Sequence, residues 1–193
     1  MNNKILFPAL ILVILVQLFI PGKMIYDKEK TIKYGKVYKF RTAPVDPNDP
    51  FRGKYVQLGF SNNSYQHTGE DIYNTGDEVY VVLSENSDGY AEIAYLEPSE
   101  PEYGEDNEYF KAKIGSIYKN EIYQEITINF PFDRYYMEES KAYPAEKLYR
   151  KSSRDTNSVA YAVVAVDKGT AVLQHVMIND KTLEELLEED AEP

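Results

Sequence analysis

The sequence predicts a mainly β protein with minor α content (α+β), in which one N-terminal transmembrane helix precedes one antiparallel, sheet-rich domain. The first observation behind this prediction is the apolar run ILFPALILVILVQLFIP at 5–21. The second is a series of short segments rich in Val, Ile, Tyr and Phe, bounded by Gly, Asn, Asp or Pro. Such segments, joined by tight turns, are typical of a sandwich or a barrel-like domain.

The apolar run predicts an N-terminal membrane anchor, residues 1–26. As a helix, residues 5–20 span about 24 Å, and the apolar residues 24–26 extend this length toward the hydrocarbon core of about 30 Å. A cleaved signal peptide is the alternative. The small residues expected before a cleavage site are replaced by Phe-Ile-Pro at 19–21. We therefore expect contact with the membrane bilayer through residues 5–26.

The side of the membrane on which the domain lies is a separate question. Five lysines follow the apolar run within residues 23–36, whereas Lys4 alone precedes it. The positive-inside rule counts this excess against export of the domain. A short N-terminal tail before a single apolar helix is, however, typical of a signal anchor. We expect a single-pass membrane protein whose domain lies outside the cytoplasm.

The rest of the chain, residues 27–193, predicts a β-rich domain. Eight segments have strand character: 31–40, 54–60, 77–85, 89–97, 109–118, 123–132, 158–167 and 169–178. Two tight turns are predicted, one at Asn86–Gly89 and one at Asp167–Gly169, because Gly and Asp suit the positive φ angles of hairpin turns.

Two helices and one loop complete the predicted domain. One helix lies within 138–152, and an acidic C-terminal helix spans 182–190, where Thr182 and Glu185 have the spacing of a capping box. The segment 97–108 carries six acids and no base, so it predicts a solvated loop between strands. Calcium binding by this segment is the more specific alternative, but the segment lacks the ligand spacing of an EF-hand loop.

Composition excludes several classes of function. The net charge is −11, and residues 1–60 hold ten Lys and Arg against four Asp and Glu, so the acids are concentrated in the domain. A domain of this charge repels nucleic acid. The chain has no Cys, which removes disulfides, thiolate catalysis and cysteine zinc sites. Nothing in the sequence indicates a cofactor.

The stretch RTAPVDPNDPFRGKYVQLGF at 41–60 is the strongest local motif. Asp46 and Asp49 alternate with prolines, which favours consecutive turns, and Arg52 lies within reach of these carboxylates. Gly53 permits a twist at the entry of the following strand. A structural corner therefore explains every residue type present. The alternatives are a hard-cation or ligand site, or an acid/base pair, formed by the two aspartates.

Catalysis has little support elsewhere in the chain. The two histidines are His67, in a polar stretch predicted as a loop, and His175, within an alternating strand. No nucleophile elbow and no phosphate-binding glycine loop occurs. Tyr135-Tyr136-Met137 is predicted to lie outside regular structure, where exposed aromatic side chains are suited to binding a partner.

The residues at 53–60, Gly-Lys-Tyr-Val-Gln-Leu-Gly-Phe, resemble the Gly-Asp-Tyr-x-x-Leu-x-Tyr signature of the bacterial GDYXXLXY proteins. The likeness extends to the preceding RTAPVDP, to a strand GDEVYVVL at 76–83 and to a hairpin AVDKGTAVL at 165–173. Lys54 replaces the Asp of the signature, and Phe60 replaces its last Tyr. The resemblance implies a membrane-anchored accessory protein of the cell envelope, encoded near multispanning membrane proteins.

Together, these observations predict an interaction domain without catalytic or metal-binding residues, whose partner is another, multispanning membrane protein. The residues predicted to form its binding or structural motif are Arg41, Asp46, Asp49, Arg52, Gly53, Tyr55 and Leu58. An ion-dependent ligand binder or envelope hydrolase that uses Asp46 and Asp49 is the alternative.

Overall fold

The computed structural model describes residues 3–43, 55–69, 72–102, 108–155 and 158–191. These residues form three helices and antiparallel sheets, one of which is a nearly closed barrel. This architecture confirms the predicted fold class.

The first element, α1, is a 32-residue helix that spans Asn3–Tyr34. Its side chains from Leu10 to Ile25 are exposed all around the helix. Over Leu10–Tyr34 it is long and apolar enough to cross a membrane, criteria that a signal sequence near an N-terminus also meets. The strand predicted over 31–40 is therefore wrong for residues 31–34, which form the last turn of α1.

The helix continues because its C-terminal end packs against the domain. Thr31 is buried, and its Oγ1 donates to the carbonyl oxygen of Asp27 at 3.1 Å. The Gly35 N–H donates to the carbonyl oxygen of Thr31 at 2.9 Å. These two hydrogen bonds are local to the helix, and it is the contacts of this helix end with the first sheet that override the strand preference of the β-branched residues in this segment.

The first sheet is antiparallel and has the strand order β12-β11-β10-β1-β3. Its strands are β1 (Lys36–Ala43), β3 (Gly59–Phe60), β10 (Ala160–Asp167), β11 (Thr170–Ile178) and β12 (Lys181–Thr182). The predicted hairpin between β10 and β11 is confirmed. Its two turn residues, Lys168 and Gly169, have φ angles of 44° and 85°, as the primed hairpin turns require.

The second sheet has the order β4-β8-β7-β5-β6, and its two edge strands, β4 and β6, contact each other, so that this sheet is nearly closed into a barrel. Its strands are β4 (Ser64–His67), β5 (Glu78–Glu85), β6 (Ala91–Glu97), β7 (Tyr109–Lys119) and β8 (Gln124–Asn129). The predicted turn at Asn86–Gly89 joins β5 to β6, and Gly89 has a φ of 78°. The polar stretch around His67 was predicted as a loop, but it forms β4, which pairs with β8.

A two-stranded ribbon lies apart from both sheets. It pairs β2 (Tyr55–Gln57) with β9 (Arg134–Tyr136). The strand predicted over 54–60 is thus divided, because β2 pairs with β9 whereas β3 pairs with β1. Tyr135 and Tyr136 lie within β9, so their predicted placement outside regular structure is wrong.

Two further helices complete the fold, α2 (Glu139–Arg154) and α3 (Leu183–Ala191). The capping box predicted for the C-terminal helix is present. The Glu185 N–H donates to Thr182 Oγ1 at 3.2 Å, and the Thr182 N–H donates to Glu185 Oε2 at 2.8 Å. These bonds satisfy two N–H groups at the start of the helix.

Five phenylalanine rings form the centre of the core. The rings belong to Phe40, Phe60, Phe110, Phe130 and Phe132, and neighbouring centroids lie 4.9–6.2 Å apart. The contributing strands come from both sheets, so this cluster holds the two sheets together. Such tilted and edge-on ring pairs stabilise a core beyond the area that they bury.

Candidate interaction site

The described part of the motif at 41–60 contributes to the core and to the surface. Along 55–60 the side chains alternate, and Val56 and Leu58 are buried. The Leu58 N–H donates to the carbonyl oxygen of Asp133 at 2.8 Å, at the point where the chain passes from β2 to β3. Phe60 then enters the phenylalanine cluster. The buried residues of the motif therefore join the ribbon to the first sheet.

The outward side of the ribbon carries two tyrosines and an arginine. Tyr55 and Tyr136 are directly opposite across the ribbon, with ring centroids 5.6 Å apart. The Arg134 guanidinium carbon lies 5.2 Å from the centroid of the Tyr55 ring. Tyr136 retains 65% of its accessible surface. We call these three residues the β2–β9 surface.

The opposite side of β9 is fixed to the last helix. The Tyr135 hydroxyl donates to Glu184 Oε1, while Glu184 Oε2 is buried without a hydrogen-bond partner among the described residues. Burial, followed by this contact with the carboxylate, raises the pKa of Tyr135 far above its ordinary value. The tyrosine therefore stays protonated and donates at any physiological pH, which holds the ribbon against α3.

A small cleft lies beside the same strand. Its volume is about 200 Å³, below the range of ordinary ligand pockets. Its polar lining includes the side chains of Gln57, Asn63, Asn129 and Asp133. Gln57 Nε2 donates to Asp133 Oδ2 at 3.1 Å, and Asn63 Nδ2 donates to the Ile128 carbonyl oxygen at 3.4 Å. Amides already bonded in this way favour a structural role for the cleft.

Arg41 lies elsewhere, on the exposed face of β1. Its guanidinium carbon is 5.5 Å from the ring centroid of Tyr90. The three predicted motif residues that the structure describes are therefore not brought together. Arg41 lies on the exposed face of β1, Tyr55 lies on the β2–β9 surface, and Leu58 lies in the core. The four others, Asp46, Asp49, Arg52 and Gly53, lie outside the described residues.

The end of β1 is held by a residue that the sequence did not indicate. Tyr149 of α2 is buried, and its hydroxyl donates to the carbonyl oxygen of Ala43 at 3.4 Å. Burial raises the pKa of Tyr149. A tyrosine in an amphipathic helix gives no sequence signal of such a contact. Arg134 was missed as well, because a three-residue strand is too short to show alternation.

The described residues show no cluster of three or more His, Asp or Glu side chains that could hold a metal ion. His67 lies edge-on to Tyr73, with ring centroids 5.1 Å apart. His175 is an exposed residue of β11, as predicted for a strand position. Within this part of the chain, the arrangement suits binding through aromatic and cationic side chains.

Comparison with known proteins agrees with the signature at the ribbon. A family model described as GDYXXLXY protein matches residues 17–176, which is most of the chain. The chain belongs to the GDYXXLXY family. No curated protein and no solved structure shows significant similarity to it.

Within this GDYXXLXY protein, the signature residues have distinct structural roles. Tyr55 lies on the β2–β9 surface, and Leu58 is in the core. Phe60, which replaces the last Tyr of the signature, packs 5.2 Å from the Phe130 ring. The hydrocarbon ring suffices there, because the described aromatic ring contacts of Phe60 are with Phe40, Phe130 and Phe132. Lys54, which replaces the signature Asp, lies outside the described residues.

Proposed function

We propose that this GDYXXLXY protein is a membrane-anchored interaction domain of the cell envelope. The domain lies outside the cytoplasm and binds a multispanning protein of the same membrane. The β2–β9 surface makes the central contact. The single observation that carries this proposal is the exposed Tyr136 paired with the half-buried Tyr55, with Arg134 beside them, on a ribbon whose opposite side is fixed to α3.

The composition of the surface supports partner binding. Tyr and Arg are the residue types enriched among those that dominate the binding energy of protein interfaces. Tyr136 is largely exposed although it lies next to a tyrosine ring and an arginine. An aromatic side chain in such a position gains favourable burial when a partner covers it.

The contacts that hold the ribbon in place support the same proposal. Val56 is fully buried, and Tyr135 contacts Glu184 of α3. The backbone under Tyr55 and Tyr136 is therefore held in place before any partner arrives. A preformed surface loses less conformational entropy on binding, so more of the contact energy contributes to affinity.

The anchor favours a partner in the same bilayer. α1 is mainly apolar and exposed from Leu10 to Tyr26, and β1 begins two residues after α1 ends. A domain joined so closely to a membrane helix reaches only proteins at the membrane surface. The effective concentration of a membrane-embedded partner is correspondingly high.

Site-specific photo-crosslinking in intact membranes tests this proposal. A photoreactive residue in place of Tyr136 should crosslink to an integral membrane protein, identified by mass spectrometry, and Arg134→Ala should reduce the yield several-fold. The matched control is a photoreactive residue in place of Tyr118, which is 68% exposed on β7. Equal yields at the two positions, or no membrane protein at Tyr136, would refute the proposed surface.

A further inference from the structure

The anchor helix docks on one particular face of the first sheet. On β10, Ala160, Ala162, Val164 and Val166 face the core, so the alternate residues face outward. Ala165 points outward and is nevertheless fully buried, because α1 contacts β10 and β11 there. Lys30 of α1 pairs with the outward Asp167 at 3.4 Å. We call this side the outer face.

The joint between the helix and the sheet leaves little freedom of movement. A Cβ atom on Gly35 would lie 2.5 Å from the carbonyl oxygen of Thr31 and 2.8 Å from that of Val166. β11 has a bulge opposite Val163 and Val164, at which Gln174 has no paired residue on β10. The Gln174 Nε2 donates instead to the Ile32 carbonyl oxygen of α1 at 3.2 Å. The bulge thus satisfies a carbonyl group that a helix end leaves without a partner. The outer face consequently has a fixed orientation relative to the anchor.

The docking point lies at the outer edge of the lipid headgroup layer. The exposed apolar side chains of α1 continue to Ile25 and Tyr26. Thr31 follows five residues later, which is a rise of about 8 Å along a helix. The headgroup layer on each side of a bilayer is about 5–7 Å thick. The sheet around Thr31 therefore touches the headgroups when α1 spans the membrane.

The outer face is basic although the whole chain is acidic. Directly opposite residues of an antiparallel pair share a face, and the registers place Val37 beside Ala165, Lys39 beside Val163 and Arg41 beside Tyr161. Lys39 and Arg41 are exposed. Asp167 is the one acid at the outward positions of the fully described strands β1, β10 and β11, and it is paired with Lys30. Exposed lysines of α1, Lys28 and Lys33, add to the same charge.

The two cationic side chains of β1 are supported by tyrosine rings. Lys39 Nζ lies 5.3 Å from the centroid of the Tyr161 ring, and Arg41 stacks near Tyr90. The Tyr161 and Tyr90 rings are 5.9 Å apart, and the Tyr161 hydroxyl donates to Asp180. A guanidinium stacked on a ring keeps its in-plane N–H groups, which bind phosphate oxygens in a bidentate fashion.

From these observations we infer that the outer face binds anionic phospholipid headgroups. Lys39 and Arg41 contact the phosphates, together with Lys28 and Lys33 of the helix. Clusters of basic residues next to a membrane helix gain binding energy from anionic lipid with each residue. This contact holds the domain against the bilayer and leaves the β2–β9 surface for the protein partner. The inference rests on the proposed anchoring of α1.

Electron paramagnetic resonance on the full chain in nanodiscs tests the inference. The chain has no Cys, so Val37→Cys on the outer face and Ser116→Cys on β7 each give one labelling site. Nickel-chelating lipid at the disc surface reports how close each label lies to the headgroups. With phosphatidylglycerol present, the Val37 label should relax faster than in phosphatidylcholine alone, while the Ser116 label should not change. High salt should remove the difference, because salt screens exposed charges.

Charge variants complete the test. Lys39→Gln with Arg41→Gln should lower the affinity for the anionic lipid about five-fold for each basic residue removed, and the lipid-dependent signal should decrease with it. Lys147→Gln with Lys151→Gln, at exposed positions of α2, removes the same charge and should have no effect. Incorporation into discs with equal signals in both lipids would overturn the lipid inference alone. Failure of the chain to incorporate would overturn the anchoring of α1 and this inference with it.

Discussion

Gly35 forms the entire link between the last residue of α1 and the first residue of β1. Two backbone carbonyl oxygens, of Thr31 and Val166, approach the position that a Cβ atom would occupy. Backbone atoms cannot turn away as a flexible side chain can. Glycine is therefore required here, because the two carbonyl oxygens leave no space for a Cβ atom. The rigid joint between α1 and the domain depends on this residue.

Gly35→Ala tests this requirement. We expect it to destabilise the domain by about 1–3 kcal/mol, because overpacking against backbone forces the helix or the sheet to shift. Gly22→Ala is the matched control, since a Cβ atom on Gly22 meets nothing within 4 Å. Urea unfolding of the full chain in detergent, followed by near-UV circular dichroism, measures both. Equal stability of the two variants would show that the joint is not rigid.

Glu185 makes the start of α3 sensitive to acid. Its pKa is lowered, first by the hydrogen bond from the Thr182 backbone N–H. Because the pKa of Glu185 is lower in the folded chain, its carboxylate stabilises the helix at pH values above the unfolded pKa of 4.5. This contribution disappears as the pH falls through the folded pKa. The stabilisation is thus complete at neutral pH.

Glu185→Gln should therefore weaken α3 at neutral pH and have no effect in acid. Hydrogen exchange of the Thr182 and Glu185 amides, corrected for intrinsic rates, measures the difference. Asp190→Asn removes a similar charge from an exposed position of the same helix and serves as the control. A loss of protection that is equal at neutral and acid pH would contradict the titration of Glu185.

At the scale of the element, long strands with one buried face were predictable and short ones were not. In β1 the buried Tyr38 and Phe40 alternate with exposed residues, which is the period of two that the sequence shows. The turn glycines Gly89 and Gly169 have the positive φ angles that their hairpins need. In these elements local preference and tertiary packing agree.

The short elements depend on contacts between residues far apart in the chain, which a local sequence pattern does not reveal. β2 and β9 have three residues each, and their pairing joins positions about 80 apart in sequence. β4 is polar because it is a short edge strand of the second sheet. The last turn of α1 is helical through its docking on β10 and β11. Within the candidate site, Tyr55 was predicted and its partner Arg134 was not, for the same reason.

The contact between β9 and α3 is the element-scale feature most open to test. Tyr135→Phe removes the hydroxyl that donates to Glu184 and leaves a buried carboxylate without that donor. We expect a loss of about 1–3 kcal/mol in the free energy of unfolding, because an unsatisfied buried acceptor keeps its desolvation cost.

Tyr136→Phe removes a hydroxyl from the next residue, which is exposed, so its stability should equal that of the wild type. Chemical denaturation of both variants measures the difference. If Tyr135→Phe were as stable as Tyr136→Phe, then the ribbon would not be fixed by α3.

At the scale of the whole molecule, charge and apolar surface are separated along the chain. The apolar side chains of α1 are exposed from Leu10 to Tyr26, basic residues are enriched at its end and on β1, and most of the acids lie in the remaining domain. This order matches the layers that a chain crosses from hydrocarbon through headgroups to water. In the proposed arrangement, the rigid joint places the sheets at the membrane surface and leaves the β2–β9 surface free to meet a partner.

Protease accessibility of the full chain in intact spheroplasts tests whether the domain is anchored outside the cytoplasm, with inside-out vesicles as the control for sidedness. Protease added outside the spheroplasts should digest the domain and leave a membrane-protected fragment containing α1. Release of the undigested chain from the membrane by alkaline carbonate would contradict the anchoring. Protection of the domain in spheroplasts, with digestion in inside-out vesicles, would contradict its location outside the cytoplasm.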